Sequence, residues 1–223
     1  MMVLDPTQIR VLGSLIEKEI TTPESYPLSL NALVNACNQR SSRDPVLELT
    51  EEEVRQALHS LEDQNLVSVL HDSRVPKYEN RARTVFSLRR DETAVLCLLM
   101  LRGPQTTGEL RGRSERLFTF DDIPAVQSTL DRLASRQVPA DDTSASAGPL
   151  VTMLPRLPGS RESRYAHLLA GTPSFSAQPQ PAQPESESAS QVEAIARLEA
   201  DLASLRQTVA VLQQRLDHLE SGQ

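Results

Sequence analysis

One unit occurs twice in this chain, an amphipathic helix running into a short two-stranded ribbon, and it restricts the fold more than any other feature. The first copy starts at Thr50, in LTEEEVRQALHSLEDQNLVSVL. Thr50 is placed to cap a helix, and Glu53 stands three residues on, the spacing of a reciprocal capping box. Val54, Ala57, Leu58 and Leu61 follow at i, i+3, i+4 and i+7 as one apolar face, and Leu66, Val67 and Val69 then read as strand. The second copy starts at Asp121-Asp122, in FDDIPAVQSTLDRLASRQV. An offset of 72 residues carries Val54, Leu58, Leu61 and Leu66 onto Val126, Leu130, Leu133 and Val138, an apolar residue each time. Two shorter helices precede the repeated unit, the pattern of a winged helix-turn-helix domain. The expected fold class is mainly α with small β-wings (α+β): two tandem winged helix-turn-helix domains, a disordered linker and a C-terminal coiled-coil helix.

Local signals set the boundaries. Asp5-Pro6-Thr7-Gln8 opens a first helix with an Asp cap, Pro at the first helical position and Gln three after the cap. Ser29 starts a second helix, the polar stretch 38–45 is a loop, and the Thr50 helix leads into strands over 66–71 and 77–79. Residues 81–88 read as an extended lead-out. Asp91 is expected to cap a helix, ETAVLCLLMLRG, that is apolar nearly all round and so buried on more than one side, at the seam between the two domains. Gly103-Pro104 ends it, and Thr106 with Glu109 makes another capping box. After the Asp122 helix come a strand near Val138, a return strand over 150–154 and an extended piece over 162–169, with the low-complexity stretch 139–149 between. The expected domains are therefore residues 1–88 and 89–171, then a Pro/Ser/Gln-rich linker over 172–190 that cannot bury a core.

Residues 191–221 change pattern again. Ile195, Leu198, Leu202, Leu205, Val209, Leu212, Leu216 and Leu219 are spaced 3-4-3-4-3-4-3, four heptads with an apolar residue at every a and d. In a parallel pair, contacts from g to e′ join Asp201 to Arg206 and Arg215 to Glu220, both attractive. Leu at every d and β-branched residues at two a positions lean toward a dimer. No buried Asn sets the register, so a trimer and an antiparallel pairing stay open. Self-association is expected either way.

Composition narrows the function. The formal net charge of −7 gives no general attraction to nucleic acid or anionic membranes. It is unevenly spread: residues 1–88 carry 9 Lys+Arg against 13 Asp+Glu, and residues 89–171 carry 11 against 10. With no Trp, 3 Tyr and 4 Phe, stacking on single strands is disfavoured. Cys37 and Cys97 have no metal-ligand spacing and read as buried thiols, and the four His show no such spacing either. The chain contains neither a phosphate-cradling glycine loop nor a nucleophile with a base at a telling spacing. The expectation is a cytoplasmic protein, not an enzyme, with no cofactor, no bound metal and no membrane partner; the start MMVLDPTQ lacks the features of a secretion signal.

The candidate contacts to DNA or to a partner are cations: Arg40, Arg43, Arg74, Lys77, Arg81 and Arg83 in the loop and wing of the first domain, Arg111, Arg113 and Arg116 on the second helix of the second domain, and Arg156, Arg161 and Arg164 in its wing. Such groups touch phosphates without reading bases. The candidate recognition helices argue the other way, since Glu51, Glu52 and Glu53 or Asp121 and Asp122 stand where a groove reader would meet phosphates. For any single arginine, pairing with nearby carboxylates on a solvated surface is the stronger expectation.

Four motifs carry a family resemblance: TTPESYPLSLNALVNACNQRSSRDPV (residues 21–46), KYENR (77–81), LRGPQTTGELRGR (101–113) and SRESRYAHLL (160–169). Together they closely resemble the bacterial YceH-like family of uncharacterised proteins, over roughly residues 5–171. The resemblance implies two tandem winged-helix domains and no established activity. The insert at 139–149 and everything after 171 depart from the family's usual extent, so the tail is expected to give this member an oligomeric state that others lack. The resulting functional expectation is a DNA-associated regulatory or architectural protein dimerised by its coiled coil, with double-stranded DNA as partner. The alternative is a protein–protein adaptor using winged helices as packing modules, with an unidentified protein partner.

Overall fold

In the computed structural model, helix α1 (Pro6–Thr21) begins where its three local signals agree. Asp5 accepts from the Gln8 backbone N–H at 2.9 Å, and the Gln8 side chain accepts in return from the Asp5 N–H. The structure describes residues 3–71, 74–137, 148–156 and 162–172, and the first compact unit of the chain runs Met1–Pro173. The stretch at 138–147, with the strand expected near Val138, lies outside the described residues, as do the linker beyond Thr172 and the coiled coil.

After α1 come β1 (Leu28–Ser29), α2 (Leu30–Cys37) and α3 (Glu51–Asp63). Thr50 and Glu53 close the capping box expected of them, and Val54, Ala57, Leu58 and Leu61 are the buried residues of α3. Each large one contributes roughly 1.5–3 kcal/mol on burial. The helix stops in a Schellman turn: Asn65 takes φ 58°, its N–H reaches Glu62 O at 2.8 Å, and Leu66 N–H reaches Leu61 O at 2.8 Å. That turn delivers Leu66 to the core and starts β2 (Val67–Leu70), which pairs antiparallel with β3 (Lys77–Asn80). β1 pairs on the other side of β3, so the sheet order is β1-β3-β2.

Residues 81–88 are not the extended lead-out expected. They contain a one-turn helix, α4 (Ala82–Val85), with Val85 N–H to Arg81 O and Phe86 N–H to Ala82 O. The turn places Ala82 and Phe86, four residues apart, together in the core, and both are buried.

Helix α5 (Arg90–Arg102) also departs from expectation at its start. The cap position is Arg89, whose N–H donates to Glu92 Oε2 at 2.9 Å. Asp91 lies inside the helix, and its carboxylate accepts from Thr129 Oγ1 and Arg132 instead. Gly103, at φ 67°, ends the helix in a conformation that side-chain-bearing residues rarely adopt. From Thr93 to Leu101 every residue is buried, because α5 packs on α1 on one side and on α6 (Thr107–Ser114), α7 (Ile123–Ala134) and β5 (Tyr165–His167) on the other. A Cβ added at Gly13 of α1 would stand 3.0 Å from Leu101 Cδ2 and 3.3 Å from Met100 Cβ, so the glycine allows the two helices to approach.

The second half echoes the first. Gln105, between α5 and α6, bridges Tyr165 with backbone hydrogen bonds of 3.0 and 2.8 Å, and β4 (Val151–Met153) pairs antiparallel with β5. Asp122 caps α7 by accepting from Ala125 N–H at 2.8 Å, and Thr106 with Glu109 caps α6. The described residues thus make a mixed α/β structure of seven α-helices and two small antiparallel sheets.

Candidate nucleic-acid interface

The loop joining α2 to α3 carries two of the candidate cations, and it is tied at several points. Asn38 Nδ2 donates to Leu49 O, and Leu49 N–H donates to Asn38 Oδ1, both at 2.8 Å. Arg10 reaches from α1 to Cys37 O at 3.1 Å and Pro45 O at 2.6 Å. Asp44 N–H meets Leu101 O at 2.9 Å, and Arg102 Nη2 donates to Ser42 Oγ at 2.7 Å. The Asn38 side chain therefore satisfies the backbone of the loop after α2.

Arg43 belongs to this network and not to a surface. Its side chain is 0% exposed. Its two Nη atoms meet Glu17 Oε1 at 3.1 Å and Oε2 at 2.5 Å, and Nε and Nη2 donate to Ala36 O. A guanidinium so enclosed has no donor left for a phosphate, so Arg43 leaves the candidate set. Burial, then the neighbouring Arg43 charge, lowers the Arg10 pKa, and burial followed by Arg113 lowers that of Arg102. Arg40, by contrast, is exposed on the tied loop.

The hairpin presents two more cations. Arg74 is exposed in the turn between β2 and β3, and Lys77 is half-buried at the start of β3, paired with Leu70 and Ser29. Arg81 is exposed where α4 begins. Among the described residues, Arg40, Arg74, Lys77 and Arg81 have no carboxylate partner, whereas the acidic first turn of α3 is already neutralised in part by Arg55, which pairs with Glu51 and Glu52.

In the second half two of the candidate arginines, Arg113 and Arg164, are committed to a carboxylate. Arg111 Nη2 donates to Asp121 O at 2.9 Å. Arg113 bonds Gln105 Oε1 and lies 3.8 Å from Glu109; Arg164 lies 3.3 Å from the same carboxylate and donates to Pro104 O at 2.8 Å. The structure thus brings Arg113 and Arg164 together around Glu109, with about two fifths of each side chain still exposed. Arg156 is exposed with Nε on Ser163 Oγ, Arg116 is exposed, and Arg161 lies outside the described residues. Tyr165 packs inward, and its hydroxyl donates to Gln127 Oε1 at 3.1 Å.

Sequence reasoning missed Arg10, Arg132 and Arg136. Arg10 stands between Ile9 and Val11 with no signal that it would be buried, Arg132 grips Asp91 and Glu92, and Arg136 donates to Phe86 O at 2.6 Å. For catalysis the site offers little. Among the described residues no group of three His, Cys, Asp or Glu could hold a metal ion. Cys37 and Cys97 are free and buried, and burial pushes the Cys37 thiol up to about 11 and Cys97 higher still, away from thiolate chemistry. No described helix is long and apolar enough to cross a membrane.

Comparison with known proteins adds two matches. A family model described as "Protein of unknown function, DUF480" covers residues 4–160, and a trimerisation motif covers residues 175–222, which include all eight a and d positions from Ile195 to Leu219. A UPF0502 protein of Solibacter usitatus is 51% identical over 204 residues, covering 91% of this chain and 93% of its own. A UPF0502 protein of Aeromonas hydrophila is 44% identical over 225 residues, covering 98% and 99%. An alignment that complete corrects the expectation that the tail is peculiar to this chain. The motif match likewise favours three strands over the dimer toward which the heptad residues lean.

Proposed function

This chain belongs to the DUF480 family of proteins of unknown function, and from that premise we propose a self-associating, non-enzymatic, DNA-associated protein of regulatory or architectural type. The observation that carries the reading is the order α1-β1-α2-α3-β2-β3 with sheet order β1-β3-β2, echoed by α5, the Gln105 bridge, α6, α7, β4 and β5. Three helices followed by a hairpin whose second strand pairs back near the first helix is a winged-helix arrangement, so we read residues 1–88 and 89–171 as two such units. The likeness to DNA-binding folds is analogy of fold, and the electrostatics must supply the rest.

They favour phosphate contact by the loop and hairpin of the first half. Arg40, Arg74, Lys77 and Arg81 are the candidate cations there without a carboxylate partner among the described residues. Four phosphate contacts give weak, sequence-tolerant binding per chain. Three copies held by the tail would raise it through effective concentration.

A second reading, a protein–protein adaptor, is favoured by one observation: Glu51, Glu52 and Glu53 are exposed in the first turn of α3, where a groove reader would meet phosphates. Binding of a labelled random duplex by the full chain separates the two. The DNA reading expects affinity to fall roughly hundredfold between about 50 and 200 mM salt for four contacts. It also expects Arg74→Glu with Lys77→Glu to abolish most of the binding. Absence of binding at the lower salt would favour the adaptor, and an unchanged affinity in the double variant would move the interface away from the hairpin.

A further inference from the structure

The C-terminal end of α1, helix α4, the first turn of α5 and the turn after α6 enclose a cleft of about 260 Å³, lined by Glu19, Ile20, Arg83, Arg90, Thr93 and Leu117. We propose that this cleft is a binding site for a small carboxylate carrying a short apolar body. The inference stands apart from the nucleic-acid reading and shares none of the four cations, Arg40, Arg74, Lys77 and Arg81, on which that reading rests; it assigns Arg83, a nucleic-acid candidate by sequence, to this cleft instead.

Two arginines from different elements, Arg83 of α4 and Arg90 of α5, line the one cleft, and neither has a carboxylate partner among the described residues. Paired guanidinia bind a carboxylate through parallel N–H donors, a geometry a single lysine cannot reproduce. The segment that carries them is held in place: Leu88 N–H donates to Arg83 O at 2.9 Å, and Arg136 Nη2 donates to Phe86 O at 2.6 Å. These bonds fix the backbone from which Arg83 projects, and the two exposed side chains are left to order around a ligand. Arg90 is the first helical residue of α5, so the positive end of that helix adds to the same field.

The remaining lining selects among anions. Ile20 and Leu117 are half-buried and pack against the core, giving the cleft an apolar wall that free phosphate cannot use. Glu19, whose carboxylate accepts from Asn80 Nδ2, offsets one of the two cationic charges. The lining then suits a monoanion better than a dianion, which the Glu19 carboxylate would repel. The volume lies just below the roughly 300–1,000 Å³ of pockets for drug-sized ligands, which points to a fragment-sized metabolite. Glu19, Ile20 and Arg83 belong to the first half of the repeat, Arg90, Thr93 and Leu117 to the second, so a bound carboxylate would bridge them.

Titration calorimetry of the full chain with hexanoate as probe, and with hexan-1-ol and inorganic phosphate as separate arms, tests this. The site requires saturable binding of one hexanoate per chain, with both other probes at least about tenfold weaker. Arg83→Gln with Arg90→Gln should weaken hexanoate by about the same factor and leave the melting temperature of the unliganded protein unchanged, since both side chains are exposed. Four results would overturn the proposal: no saturation by hexanoate up to about 10 mM, unaltered binding in the double variant, hexan-1-ol binding as tightly, or phosphate binding as tightly.

Discussion

Arg43 and Glu17 form a two-pronged ion pair, Nη1 to Oε1 at 3.1 Å and Nη2 to Oε2 at 2.5 Å, with the arginine side chain wholly buried and the glutamate 15% exposed. Removing one member of such a pair leaves an uncompensated charge inside, which typically costs about 3–5 kcal/mol. Glu17→Gln should therefore lower stability by about 3 kcal/mol in urea unfolding. Arg40→Ala, three residues away on the exposed side of the loop, should leave the urea midpoint where it was. Equal effects of the two variants would show that Arg43 is not held as described.

Gly13 offers a test of the seam between α1 and α5. Alanine is intrinsically better in a helix by about 1 kcal/mol. Its Cβ, however, would meet Leu101 Cδ2 at 3.0 Å and Cγ at 3.1 Å. Gly13→Ala should therefore stabilise less than an exposed glycine-to-alanine change or destabilise outright, and Gly13→Leu should lower the melting temperature severely. A stabilised Gly13→Leu would mean that the two helices do not touch here.

Thr50 and Asp91 were expected to play the same capping role, and only Thr50 does. Thr50→Ala should cost about 1 kcal/mol by loss of its cap. The cost of Asp91→Ala should instead depend on Arg132, with a coupling of about 0.5–1 kcal/mol in a double-mutant cycle, since Arg132 remains one third exposed. A loss that persists undiminished in the Arg132→Ala background would assign the contribution to Thr129, whose hydroxyl donates to the same carboxylate.

His167 supplies a pH dependence. Burial lowers its pKa from 6.5 to about 4, and its Nδ1 has no hydrogen-bond partner among the described residues. The unfolded chain takes up the proton first, so this contribution is complete above pH 6.5, falls as pH drops toward 4 and is lost below it. Stability curves of the wild type and of His167→Gln should diverge across that window by about 2–3 kcal/mol, the wild type falling more steeply. Parallel curves would show that the imidazole is hydrated in the fold.

Self-association should follow the tail. Sedimentation equilibrium of the full chain should give three times the chain mass, and Leu205→Asp with Leu212→Asp should return it to one. A mass of two chains would favour the dimer suggested by Leu at every d position over the trimerisation motif matched at residues 175–222.

What the sequence determined alone was local. The caps at Asp5, Ser29, Thr50, Thr106 and Asp122 follow from a short side chain reaching its own third backbone N–H, and each stands where it was read. The apolar face of α3 and the all-round burial of α5 follow from periodicity in the same way. Tertiary structure decided what depends on distant partners. Residues 82–85 coil because Ala82 and Phe86 find a core to fill, and Asp91 gives up capping because Thr129 and Arg132 of α7 compete for its carboxylate. The candidate interface was the least legible part. An arginine reads alike in sequence whether it is sealed against Glu17, shared around Glu109 or left facing a cleft, because its fate is set by which carboxylate the fold brings within a few ångströms.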